Sequence, residues 1–101
     1  NVVGGLKLRD PAADLAVCMA IASAAAERRL DDDAIVYGEV GLGGEIRSAH
    51  SSLRRIAEAK KLGFTYAIAP TTRPSDPFIR PVADLRTTLQ TYLKTVSKEK
   101  R

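Results

Sequence analysis

The chain has no tryptophan, one cysteine, one histidine and one methionine in 101 residues, and aromatic side chains make up only 5% of it. Each scarcity excludes something. A single thiol, Cys18, makes no intramolecular disulfide. The lone His50 has no His, Cys or paired carboxylate at ligand spacing, so a zinc site has no donors. Few aromatic rings disfavour recognition of single strands by base stacking. No run of 18 or more apolar residues is present to cross a bilayer, and no basic start leads into an apolar signal core. These features fit a reduced, cytoplasmic setting without a membrane partner. The length allows one domain, burying about 60 to 65% of its unfolded surface. The abrupt opening Asn1-Val2-Val3 reads as a piece cut from something longer.

The net charge of +4 is unevenly distributed. Lys94, Lys98, Lys100 and Arg101 against Glu99 supply +3 of it, leaving 12 bases and 11 acids in the rest of the chain. Within that rest, Glu27 to Asp33 holds four acids against Arg28 and Arg29, while Arg47 to Lys61 holds five bases against Glu58. Such blocks are either solvated faces or electrostatic footprints.

Local pattern predicts the order strand, helix, strand, hairpin, helix, strand, strand, helix. Asn1 to Leu8 is apolar and β-branched. Asp10 suits an N-cap and Pro11 the first helical position, where no N–H is needed. The following stretch, Ala12 to Arg29, is apolar on nearly every side and reads as a buried helix whose alanines admit close neighbours. Ala34 to Tyr37 is a short strand entering Gly38 to Gly44, with four glycines in seven residues, most simply a hairpin between a Val40 arm and an Ile46 arm. Ser51 or Ser52 caps a second helix to Leu62, with Leu53, Ile56, Ala57 and Lys60 aligned on one side and Gly63 closing it as a left-handed residue. Phe64 to Ala69 is a buried strand. A proline-rich loop from Pro70 to Pro81 surrounds a short strand at Phe78-Ile79. Val82, Leu85, Leu89, Tyr92, Leu93 and Val96 recur at helical spacing and predict a last helix.

Candidate chemistry is sparse. Gly38 to Gly44 lacks the Gly-Lys-Ser/Thr ending of a phosphate cradle and reads as a hairpin. Cys18 sits mid-helix in the most apolar segment, where a thiol packs rather than reacts, so a Cys18–His50 pair is disfavoured. No Ser lies in a Gly-x-Ser-x-Gly setting. Glu39 is an acid among apolar residues and reads as an acceptor for hairpin N–H groups. Arg47, Arg54, Arg55, Lys60 and Lys61 form the one cationic cluster, with Arg54 and Lys61 two turns apart on one exposed side. Such a face suits a nucleic-acid backbone, which requires charge and donors rather than base readout.

The blocks Asn1-Val2-Val3-Gly4-Gly5-Leu6-Lys7-Leu8, Ala12-Ala13-Asp14-Leu15-Ala16, Gly38-Glu39-Val40-Gly41-Leu42, Gly44-Glu45-Ile46-Arg47 and Glu58-Ala59-Lys60-Lys61-Leu62-Gly63-Phe64 resemble, in order and spacing, the C-terminal domain of the bacterial RadA (Sms) DNA-repair family. That domain is similar to the Lon protease domain, with the fold of ribosomal protein S5 domain 2. The resemblance implies an α/β two-layer fold, helices over a small mixed sheet, across residues 1–96, the later part of such a domain, followed by a basic tail at 97–101.

In Lon-type peptidases a Pro-Ser-Ala-Gly run carries the nucleophile, and a Lys one helix later takes its proton. By the resemblance, Ala12 stands at the serine position and Arg55 at the lysine position. A methyl group offers no nucleophile, and a guanidinium stays protonated and cannot be a base. The implied role is therefore non-enzymatic: a ring-forming scaffold and sequence-independent DNA platform beneath a RecA-like ATPase in branch migration. Arg47, Arg54, Lys60 and Lys61 are the expected DNA surface, with Arg55 joining them or bracing the former dyad. Partners are DNA and further copies of the chain. ATP, magnesium and zinc are expected only in domains upstream in the family, and no cofactor is expected in this chain. Two other classes remain, an active or altered Lon-like peptidase and a purely structural oligomerisation module.

Overall fold

The computed structural model describes residues 10–95. A 3₁₀ turn, Pro11–Ala13, leads into α1, Asp14–Ala26; then come β1, Arg28–Arg29; β2, Ala34–Val36; β3, Glu39–Val40; β4, Ile46–Arg47; α2, Ser52–Lys61; β5, Tyr66–Ala69; β6, Ile79–Pro81; α3, Leu85–Tyr92; and β7, Lys94–Thr95. The strand expected over Asn1 to Leu8, Val96 and the 97–101 tail lie outside the described residues. Strands β2, β5 and β6 form a parallel sheet in the order β2-β5-β6, and β1 with β7 and β3 with β4 form two antiparallel pairs among the described residues. The α/β class and the packing of helices on a small sheet agree with the expectation from sequence.

β5 organises the core because successive side chains leave a strand on opposite faces. Ala67 and Ala69 join a cluster with Tyr37, Ile56, Ala59, Phe78 and Ile79, beneath α2. Ile68 joins Leu15, Met19, Ala34, Ile46 and Leu93, against α1 and the approach to β7. Alanines 59, 67 and 69 are fully buried within the cluster under α2. Leu15, Met19 and Ile68 are the large, fully sequestered apolar residues, each contributing about 1.5–3 kcal/mol of transfer free energy.

Several caps match the sequence. Asp10 accepts from the Ala12 N–H at 3.0 Å ahead of the Pro11 turn. Gly63 adopts φ 95°, and the bonds Gly63 N–H to Lys60 C=O and Phe64 N–H to Ala59 C=O, 3.1 and 3.0 Å, form a Schellman closure of α2. The Gly-rich segment is the expected hairpin, with Val40 opposite Ile46 and Glu39 opposite Arg47.

Other expectations are overturned. α1 is neither continuous to Arg29 nor buried all round. Glu27 takes a left-handed C-cap at φ 55°, its N–H bonded to Ser23 C=O, and the Ser23 hydroxyl donates to the Arg28 carbonyl. Arg28 and Arg29 then find ladder partners in Thr95 and Lys94. Only Leu15 and Met19 of α1 are buried, while Val17 and Ile21 are 54% and 65% exposed. The last helix is shorter at both ends. Asp84, whose carboxylate accepts from Thr87 N–H at 2.9 Å, sets its start. Val82 instead extends the parallel pairing through its N–H to Ala69 C=O, and Leu93 is already extended before β7. On α2 the buried residues are Ile56 and Ala59, whereas Leu53 and Ala57 of the predicted stripe are exposed, because the side turned to the Tyr37, Ala67 and Ala69 cluster is that of Ile56 and Ala59. Ser51 occupies the N-cap position but makes no side-chain cap bond.

Gly38 joins the hairpin to α1. Its N–H donates to Ala12 C=O at 2.8 Å and its C=O accepts from Leu15 N–H at 2.9 Å. Its φ is 150°, and a Cβ there would lie 3.1 Å from both Ile46 Cγ2 and Pro70 Cδ. Gly38→Ala is therefore expected to lower stability by about 1–3 kcal/mol, read as a lower urea midpoint at unchanged slope.

Candidate functional site

The 3₁₀ turn, the end of β2 and the start of α2 enclose an open cleft of about 530 Å³. Ala12, Ala13 and Ala16 line one side of it and Ile35, Val36 and Tyr37 another, with Arg54, Arg55 and Glu58 projecting from α2. Ala12 is buried, so its methyl group is part of the wall. Thus the two positions singled out by the Lon resemblance, Ala12 and Arg55, line the same cleft although 43 residues separate them.

Arg55 is tied down. Its Nη2 lies 3.2 Å from Asp10 Oδ2, its Nε donates to His50 C=O at 3.1 Å, and its guanidinium lies 5.8 Å from the centre of the Tyr37 ring. The Asp10 carboxyl is held below its ordinary value, chiefly by the Ala12 N–H, with desolvation opposing it and the Arg55 guanidinium adding to the lowering. Because the folded-state value is depressed, this contribution is present above the ordinary aspartate range and is lost as pH falls through the lowered value. Asp10 was readable in sequence as a cap. Its second role, holding Arg55, had no sequence signal because the partner lies 45 residues away.

The cationic residues divide into two sorts. Arg47 on β4 is bonded to Glu45 Oε2 at 2.6 Å and lies 4.0 Å from Glu39. Lys60 stands over the Phe78 ring at 5.4 Å, on a different side of α2 from Arg54. Arg54 and Lys61 are exposed and make no ion pair among the described residues. Arg54 and Arg55 share the cleft, whereas Arg47 lies on the hairpin. Glu45, rather than Glu39, supplies the hairpin's carboxylate acceptor: it takes the Gly43 N–H at 3.1 Å and the Arg47 guanidinium. Hydrogen bonding by its own backbone N–H and then by Arg47 holds its carboxyl below the usual range. The reason is position, since Glu45 follows the tight Gly41–Gly44 turn and its carboxylate folds back over it.

Cys18 is half-buried rather than enclosed, and lines a separate depression with Asp14, Val17 and Val40. His50 lines the cleft beside α2, so the two are not brought together in one depression. Among the described residues no group of three His, Cys, Asp or Glu side chains is placed to hold a metal ion. No described helix is long and apolar enough to cross a membrane.

Tyr37 was not singled out by sequence reasoning. It is buried, and among the described residues its hydroxyl has no hydrogen-bond partner. A buried hydroxyl without a partner costs about 1–3 kcal/mol. Tyr37→Phe is accordingly expected to raise stability by about 1 kcal/mol, measured by urea denaturation; a loss of that size would show that the hydroxyl is bonded in solution.

The family model described as subunit ChlI of Mg-chelatase matches residues 3–73, from before the Pro11 turn through α2 and β5. The chain belongs to this ChlI family. The ChlI match takes in Ala12, the hairpin and all five cationic candidates, and ends before β6 and α3. Curated relatives carry a different name. The chain is 49% identical over 70 residues, 69% of its length, to DNA repair protein RadA of Aquifex aeolicus, covering 16% of that protein. It is 47% identical over 81 residues to DNA repair protein RadA of Mycobacterium tuberculosis, covering 80% of this chain and 16% of the relative. To DNA repair protein RadA of Mycolicibacterium smegmatis it is 43% identical over 94 residues, 90% of this chain and 20% of the relative. The similarity to RadA seen in the residue blocks thus extends over most of this ChlI-family chain, which spans a fifth or less of those relatives.

Proposed function

We propose that this chain is a catalytically silent, Lon-protease-like module of a RadA-type DNA-repair protein. It acts as an oligomerisation scaffold and a sequence-independent DNA-backbone platform for a RecA-like ATPase in branch migration, in the cytoplasm. Its association with DNA repair draws on the names of its relatives. The observation that carries the rest is the cleft: a buried methyl group at position 12 faces the same space as an Arg clamped by Asp10 and the His50 carbonyl. The dyad positions in that cleft offer neither a nucleophile nor a base. The Arg55 guanidinium ties Asp10, the cap of the 3₁₀ turn, to α2. Arg54 and Lys61 are left as charges available to phosphates.

Self-association is supported by exposed apolar side chains, Val17 and Ile21 on α1 and Leu42 at the hairpin tip. The test is a gel shift with duplex DNA across a salt series, with light scattering on the same sample. Binding that falls steeply with salt, from a species larger than one chain, supports the reading. Multimers without DNA binding would leave only the structural module. Labelling by a serine-reactive probe with cleavage of casein would replace the silent module with a peptidase.

A further inference from the structure

α2 carries an acid in the middle of its free cationic stripe. At about 100° per residue, Arg54, Glu58 and Lys61 fall within about 60° of arc. Arg54 and Lys61 are separated by about 10.5 Å along the axis, roughly three phosphate steps of one DNA strand, and Glu58 stands between them. All three side chains are exposed, and none makes an ion pair among the described residues. Glu58 also lies in the last turn of α2 with Lys60 and Lys61. The helix dipole favours cations and disfavours an acid there. Its carboxylate neither packs nor caps the helix, and its charged neighbours on α2 are Arg54 four residues before it and Lys61 three after.

We propose that Glu58 is an electrostatic brake on phosphate binding by α2. Its negative charge offsets one of the two free cations, keeping contact with the backbone weak and reversible; this rests on the DNA-platform reading above. A subunit that must release and re-engage a moving strand requires a surface of this kind, and a fully cationic stripe would hold the strand.

The experiment uses the full chain and a fluorescently labelled mixed-sequence duplex, with affinity followed by anisotropy. Glu58→Gln is expected to tighten binding about two- to fivefold near 0.1 M salt, the scale of one exposed charge interaction, with the gain vanishing as salt screens it. Glu27→Gln makes the same change in net charge at the far end of α1. It is expected to leave affinity unchanged, since the Debye length is about 10 Å under these conditions. Thermal unfolding of Glu58→Gln should match or slightly exceed that of the parent chain, whereas a structural role would lower it. Equal tightening by both variants, or no change with Glu58→Gln while Arg54→Glu weakens binding, overturns the brake and leaves the platform standing. No binding by any variant overturns the platform and the brake with it.

Discussion

Replacing Arg54 and Lys61 together by Glu is expected to weaken duplex binding by about tenfold or more near 50 mM salt, because each reversal removes one phosphate contact and adds a repulsion. The parent chain should lose affinity with salt at a log–log slope of about −1.8 per bound copy for two neutralised phosphates, and the double variant should show a flatter slope. Arg47→Gln is expected to do much less. That guanidinium is already bonded to Glu45 and close to Glu39, so its charge is largely spent within the hairpin. Arg55→Gln should perturb stability more than DNA binding, since its donors point to Asp10 and the His50 carbonyl. Removal of residues 97–101 separates the cluster from the basic tail. If deleting the tail abolished binding while the double reversal left it unchanged, the α2 surface would be the wrong one.

The division among the five cations explains how far sequence could go. Arg54 and Lys61 were placed on one exposed side by counting helical turns, and the folded chain leaves them exposed there. Counting helical turns could not show that Arg47 meets Glu45, two residues before it on the same arm of the hairpin, or that Arg55 meets Asp10 from another element. The second pair depends on tertiary register.

Local chemistry was readable where a residue's role is local. Asp10 before Pro11, Gly63 after α2 and the glycines of the hairpin each announce a backbone requirement. Misreadings occurred where two local signals competed. Arg28 and Arg29 have good helix propensity, yet a left-handed Glu27 and the pairing with Lys94 and Thr95 take them out of α1. Val82 fits the period of α3, but Asp84 provides the stronger start and Val82 completes a parallel ladder instead. Leu53 fits the stripe of α2 as a leucine, yet Ile56 and Ala59 are the α2 residues that enter the core cluster, and Leu53 stays exposed.

Ile68→Ala is expected to cost about 3–4 kcal/mol, in the upper range for removing buried methylenes, because its surroundings cannot collapse. Ile68 is fully buried on the middle strand of the parallel sheet, with Ile35–Val36 and Ile79–Arg80 paired on either side. Its carbonyl also accepts the Tyr37 N–H at 3.1 Å, so the backbone is pinned on the side of the cleft as well. Its side chain meets the cluster of Leu15, Met19, Ile46 and Leu93, contributed by three different parts of the chain. A void there strips contacts from α1, the hairpin and the α3–β7 junction together. Against a total stability of about 5–15 kcal/mol for a domain, this is a large fraction, and the melting temperature should fall by about 15 °C or more. Leu53→Ala and Leu62→Ala, at exposed sites, should stay within about 0.5 kcal/mol. Ile68 faces away from the α2 cluster, so the folded fraction of Ile68→Ala should bind DNA as the parent chain does, separating loss of fold from loss of surface. A cost below about 1 kcal/mol in urea unfolding would mean that this cluster is not the packed core.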